Sequence, residues 1–336
     1  IASITKVAAT LQAFMFLYER GVVDIEKKLS YYLPELKGTN KQDMLIIDIL
    51  THQAGLWPYL PFWKQTLEDS TYIEGFYNDD FDTEFQYHVA PGLFATNHIK
   101  DSVWNWVKDS KVIKKKKREP YNYRYSDIGY YLLQRFIEKH LNQSMEQFLQ
   151  QNIYNPMGMS STGYLPLCNF PSSRIAPTEE DNYFRNTLVY GMVHDQGAAL
   201  IGGVAGHAGL FSNGRDLAKL MQMHLQGGTY GGHRFFQPGT LGTFTKQQYA
   251  TNRRGIGWDK PATGQWYGPC SRFASSKTFG HTGFTGTAAW VDPEFELVYI
   301  FIANRIHPDA TNRKLIQNNS VLPNIWWKWS CSNRIR

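Results

Sequence analysis

Long apolar runs are absent from this chain. The longest, residues 297–303, falls far short of the roughly 20 residues that cross a bilayer as a helix. Cysteine is scarce. Cys168, Cys270 and Cys331 form an odd, widely spaced set that fits neither a disulfide framework nor a zinc site, and they leave the redox compartment undecided. Charge is low as well, at 19% of residues, too little for a disordered chain. Much of the formal net charge of +6 sits in one run, residues 114–118. Without it the chain is nearly neutral, which argues against a general nucleic-acid binder. That run reads as a solvated loop. No initiator Met, charged leader or cleavage site precedes Ile1-Ala2-Ser3, so we expect the sequence to begin inside a longer, multidomain chain. Internal repeats are also lacking.

What is present is a globular composition. Apolar residues make up 42% of 336 positions and aromatics 15%, enough to bury a sizeable core. Val7, Leu11, Phe14 and Tyr18 recur at three- and four-residue steps, which predicts a helix stopped at Gly21. Further helices are expected over 44–51, 99–107, 128–140, 145–153 and 217–225. Ser126 or Asp127 is the natural N-cap of the one at 128, and Asn213 with Asp216 caps the last. Beyond about residue 250 the texture changes. Residues 287–290 and 296–303 are β-rich runs joined by Asp292-Pro293-Glu294, a hairpin; 255–258 reads as another short strand. A terminal helix is expected over 314–329, interrupted by Pro323. Residues 57–124, rich in aromatics and irregular, read as an insertion or as binding loops. This order suggests an α+β fold with a helical lobe, not a βαβ repeat.

Three short motifs are candidates for chemistry. Ser3-Ile4-Thr5-Lys6 opens the first helix, where positions i and i+3 share a face. A serine hydroxyl needs a base, and a lysine can serve if burial or positive neighbours lower its pKa. With 18 Ser and 20 Lys, chance alone gives about one such spacing, so the motif has almost no weight by itself. Tyr125-Ser126-Asp127 opens the helix at 128. It is either an ordinary cap beside a surface tyrosine or a phenol set to shuttle a proton. His281-Thr282-Gly283 enters the strand at 287. It is either a glycine-rich turn or a strand edge that holds a substrate carbonyl or carboxylate.

Taken together and in this order, the three resemble the signature set of the serine β-lactamase, penicillin-binding protein and class C-like esterase family: S-x-x-K, Y/S-x-N and K-T-G. Ile49-Leu50-Thr51-His52-Gln53-Ala54-Gly55-Leu56 and Gly255-Ile256-Gly257-Trp258 match two supporting segments of the class C-like branch. The chain also resembles the hydrolase-type module at the C-terminal end of some bacterial family-3 glycoside hydrolases. The resemblance implies an antiparallel sheet flanked by helices. It implies a single hydrolase domain over 1–336, mostly helical to about residue 200 and helix-and-sheet from 201 to 336. The strands that normally precede the nucleophile are missing. Ser3 would be the acylated nucleophile, Lys6 its base partner, and Tyr125 the proton shuttle. Backbone amides of Ser3 and Phe284 would form the oxyanion hole, with Asp127, His281, Thr282 and Gly283 on the substrate side. Asp127 stands where β-lactamases have Asn, and His281 where they have Lys. Both weaken the case for binding a carboxylate-bearing β-lactam or D-Ala terminus. The resemblance favours the periplasm or cell envelope and a small-molecule or peptide substrate, peptidoglycan-derived fragments among them.

Other segments read more plainly. The glycine-rich stretch 202–209 lacks the lysine of a phosphate loop and reads as a tight loop under the site, with His207 near the cleft. His194, Asp195 and His207 match no zinc spacing, so neither metal nor other cofactor is expected. His52 reads as a helix-end hydrogen-bonding residue. Trp57, Tyr59, Phe62, Trp63, Trp104 and Trp106 are core or groove wall, and sequence does not separate the two. The expectation is a serine hydrolase acting on an ester, a D-amino-acid amide or a β-lactam. The alternative is a non-catalytic module of the same fold that binds cell-wall peptide or glycan; a metal-dependent hydrolase comes third.

Overall fold

The computed structural model describes residues 1–113, 121–262 and 268–317. The expected loop at 114–118, most of the expected terminal helix and Cys331 lie outside them; Lys314–Gln317 is helical. The chain enters through a tight turn, Ala2–Ile4, and a wider one, Lys6–Thr10, before helix α1, Leu11–Glu19. Val7, Ala8 and Ala9 before it and Leu11, Phe14 and Met15 within it are at most 1% exposed, so this segment is buried in the core, with the one buried polar side chain of α1, Gln12, bonded to His224. Gly21, at φ +67°, closes it. Helix α2, Ile128–Leu141, packs across α1, with the rings of Phe14 and Phe136 5.8 Å apart.

Helix α3, Gly214–Leu225, starts on the side chain of Asn213, which accepts from the Asp216 amide as expected. It lies against an antiparallel sheet of β1 (Phe279–Thr282), β2 (Ala288–Asp292) and β3 (Leu297–Phe301). His281 pairs with Ala289, and Trp290 with Tyr299. The expected hairpin turn forms because the Asp292 carboxylate accepts from the Glu294 amide at 3.1 Å.

Two regions differ from expectation. Residues 255–258 are a turn, not a strand: the Gly255 amide bonds the Trp258 carbonyl, and Gly257 sits at φ +79° with its amide on the Leu50 carbonyl. A side chain at Gly257 would press on Leu11, so the glycine is there for close approach. Only Asp259 beyond the turn bridges to β1, at Gly280. Residues 57–124 are not merely irregular. Besides the expected helix, here Ile99–Asp109, they hold short strands, including Phe85–Ala90 and Leu93–Thr96. The aromatics there divide: Phe62 and Trp63 are buried, whereas Trp57 and Tyr59 are about 40% exposed. Among the described residues no helix is long and apolar enough to cross a membrane.

Candidate active site

Ser3 and Lys6 meet as the i, i+3 spacing requires: Lys6 Nζ donates to Ser3 Oγ at 3.0 Å. Lys6 is completely buried; its ammonium also donates to the His207 carbonyl, at 3.0 Å, and forms an ion pair with Asp127 Oδ1, at 2.6 Å. Burial opposes the charged form of Lys6. The Asp127 carboxylate and the Tyr125 phenol outweigh it, and the pKa rises above that of an ordinary lysine. The lowered pKa that a free lysine base requires is therefore not what this site has. The reason is Asp127, which leaves its own helix uncapped and turns to Lys6 instead. Ser126 takes over at the helix start. Its hydroxyl accepts from the Ile128 amide and donates to the Trp57 carbonyl.

Tyr125 is held by the 49–56 segment. His52, at φ +59°, accepts the Ser126 amide on Nδ1 at 3.1 Å, and its carbonyl accepts the Arg124 amide at 2.8 Å. Its ring lies 4.5 Å from that of Tyr125. His52 thus fixes the residues on both sides of Tyr125, as a hydrogen-bonding residue does. The hydroxyl of Tyr125 is shut off from solvent and makes no well-aligned hydrogen bond. Burial raises its pKa, and nearby Lys6 and Ser3 only partly offset this. Arg254, unremarked in the sequence, lies with its guanidinium 5.4 Å from the Tyr125 ring and pairs with Asp259 at 3.2 Å. Its place directly before the Gly255 turn was the only available signal.

On the strand side the motif behaves differently from expectation. Period-2 alternation puts Phe279 and His281 on the inner face of β1. His281 is 2% exposed, with its ring 5.9 Å from that of Tyr125, and neither it nor Thr282 lines the cleft. Burial pulls its pKa down to about 3, so it is neutral and cannot stand in for a lysine cation. Gly283 is tightly wedged: a side chain would strike Thr287 and the Ile1 carbonyl. Phe284 does reach the cleft, its ring between His194, 5.1 Å away, and the Arg305 guanidinium, 4.3 Å away. Among the described residues the Phe284 amide has no acceptor.

These groups open on a cleft of about 1560 Å³ that also includes Tyr59. The 202–209 loop lies beneath it and supplies the His207 carbonyl to Lys6. His207 Nε2 meets Asp195 Oδ1 at 2.8 Å. Burial works against the Asp195 charge, but His207 and the Ala198 amide hold its pKa well below the usual carboxylate range. His194 points elsewhere, with Nε2 3.4 Å from Glu179. Among the described residues no three His, Cys, Asp or Glu are grouped to hold a metal ion. Arg174 is the only Lys or Arg on the described wall, and nothing in the sequence singled it out.

The family model for Beta-lactamase matches residues 1–320. A Salmonella agona protein named "Putative D-alanyl-D-alanine carboxypeptidase" is 30% identical over 356 residues, covering 98% of this chain and 75% of that protein. Among solved structures, a mutant simvastatin synthase from Aspergillus terreus superposes with a TM-score of 0.65 at 15% identity, over 99% of this chain and 81% of its own. D-amino acid amidase from Ochrobactrum anthropi, complexed with D-phenylalanine, gives a TM-score of 0.57 at 17% identity, over 90% and 84%. At such identities the structures speak to fold alone.

Proposed function

The chain belongs to the Beta-lactamase family, and from that premise we propose that it is a serine hydrolase that forms an acyl-enzyme on Ser3 and releases the acyl group to water. The observation that carries this reading is the 3.0 Å contact between the Ser3 hydroxyl and a wholly buried lysine at the edge of a large cleft. The hydroxyl attacks the substrate carbonyl. The carbonyl oxygen takes the negative charge and is held by the amides of Ser3 and Phe284 at the head of the helix and the edge of β1. Tyr125, neutral and buried, returns a proton to the leaving group. Water then attacks the acyl carbon by the reverse route.

Substrate choice follows from charge. A neutral, buried His281 offers no cation to a substrate carboxylate, which leaves Arg174 as the fixed positive charge on the described wall. An uncharged ester or amide needs neither. A D-Ala-D-Ala peptide, suggested by the name of the Salmonella relative, or a β-lactam would depend on Arg174. Turnover of aryl esters, D-amino-acid amides, D-Ala-D-Ala peptides and a chromogenic cephalosporin ranks these classes. Failure to turn over or to be acylated by any of them would end the hydrolase reading and leave a binding module.

A further inference from the structure

We propose that Asp127 is the base at the end of the proton path from Ser3, with Lys6 passing the proton between them. The inference rests on the Ser3 reading and adds the residue that makes it work. Lys6 Nζ donates to Ser3 Oγ and to the His207 carbonyl, and it forms an ion pair with Asp127 Oδ1, close enough for its third proton to pass. An ammonium so placed has no lone pair and can take a proton only as it gives one up. Of its three partners, the serine is the donor and a peptide carbonyl is no base. The carboxylate, 2.6 Å away, is the only group that can receive the proton.

The neighbours do not compete. Tyr125 is a neutral phenol without an aligned hydrogen bond. His52 has Nδ1 occupied by the Ser126 amide, and His281 donates its Nδ1 proton to the Thr282 carbonyl; neither ring hydrogen-bonds Lys6. The other groups facing the pair are the phenols of Tyr59, Tyr130 and Tyr131, all with raised pKa values, and Arg254 behind Tyr125. None is a base at neutral pH.

The step balances. An Nζ proton passes to Asp127 Oδ1, and the lone pair so freed turns to take the Ser3 proton as Oγ bonds the acyl carbon and the carbonyl π pair moves onto oxygen. As the tetrahedral adduct collapses, the leaving group departs with a proton from Tyr125. That phenol recovers it from Asp127 through Lys6, and the ion pair is restored. An asparagine at this position could not accept the proton.

The test is the rate at which a fluorophosphonate labels Ser3, followed by intact mass across pH, in the wild-type chain and in Asp127→Asn and Asp127→Glu. We expect D127N to move the acid limb of the rate profile up by at least about two pH units, because a neutral Lys6 must then form by loss to solvent. At pH 6 it should label at least about tenfold more slowly. D127E should keep the wild-type limb. Wild-type labelling should also show a curved proton inventory in mixed H2O and D2O, from two protons in flight. A D127N limb that does not move, or a linear inventory in the wild type, overturns the proposal. The inventory needs no variant, so misfolding of D127N cannot hide the answer. No labelling of the wild type would instead sink the Ser3 reading itself.

Discussion

Two lysines, Lys6 and Lys41, are wholly buried, and their ammonium groups have opposite fates. Lys41 Nζ donates to the Lys108 and Ser110 carbonyls, at 3.0 and 2.6 Å, and to Asn40 Oδ1 at 2.9 Å. Its acceptors are neutral, and burial takes its pKa down to about 8, against a weaker pull from Asp109. Lys6 is buried more deeply at its ammonium, yet a carboxylate lies 2.6 Å away, and its pKa goes up. Burial alone does not decide the charge; the partner does. One lysine ties the end of the helix Ile99–Asp109 to the loop at 40, and the other lies between a hydroxyl and a carboxylate.

The comparison is broken most severely by exchanging what each lysine loses. Lys6→Ala should cut acylation of Ser3 by about 10²–10⁴-fold, read as the rate of adduct formation. Lys41→Met should leave that rate within about twofold. It should instead lower stability to urea by about 1 kcal/mol, because the part-buried Lys108 carbonyl loses its lysine donor, while the Ser110 carbonyl keeps Asn40 Nδ2. Equal damage to acylation from both variants would erase the distinction.

A smaller effect comes from groups that burial keeps neutral. His224 and His281 have pKa values of about 3, below the free 6.5, and His52 lies well below it too. The unfolded chain therefore binds more protons below pH 6.5. Their contribution is whole above that pH and is lost as pH falls towards the folded values. Urea melts at pH 7 and pH 5 should differ by roughly 2 kcal/mol for His224 and again for His281, with His52 acting in the same direction. A flat profile would mean that these rings protonate as readily in the fold as in the unfolded chain. Least of all, Arg174→Ala should spare aryl-ester turnover and raise KM for carboxylate-bearing substrates about tenfold; an equal effect on both would remove Arg174 from substrate choice.

Much of this was legible in the chain, and the rest was hidden for physical reasons. The i, i+3 spacing put Ser3 beside Lys6, whereas Tyr125 and His281 were tied to them only by the family resemblance, because no local spacing links residues so far apart. The Asn213 cap and the Asp292 turn were readable from local spacing as well. Partner choice across 121 residues was not. Whether Asp127 would cap its own helix or reach Lys6 depends on how α1 and α2 cross, which no local pattern encodes. The turn at 255–258 was misread because its glycines serve contacts with Leu11 and Leu50 rather than a ladder. The inward face of His281 follows from strand alternation, but only once the sheet's buried side is known. Arg174 and Arg254 have no motif, and only the fold brings them near the site.

The most direct measurement is a peptide map of the chain after reaction with a fluorophosphonate. The account expects one adduct, on the peptide that carries Ser3, absent from Ser3→Ala and undiminished in Lys41→Met. An adduct on any other residue, or equal labelling of Ser3→Ala, would contradict it.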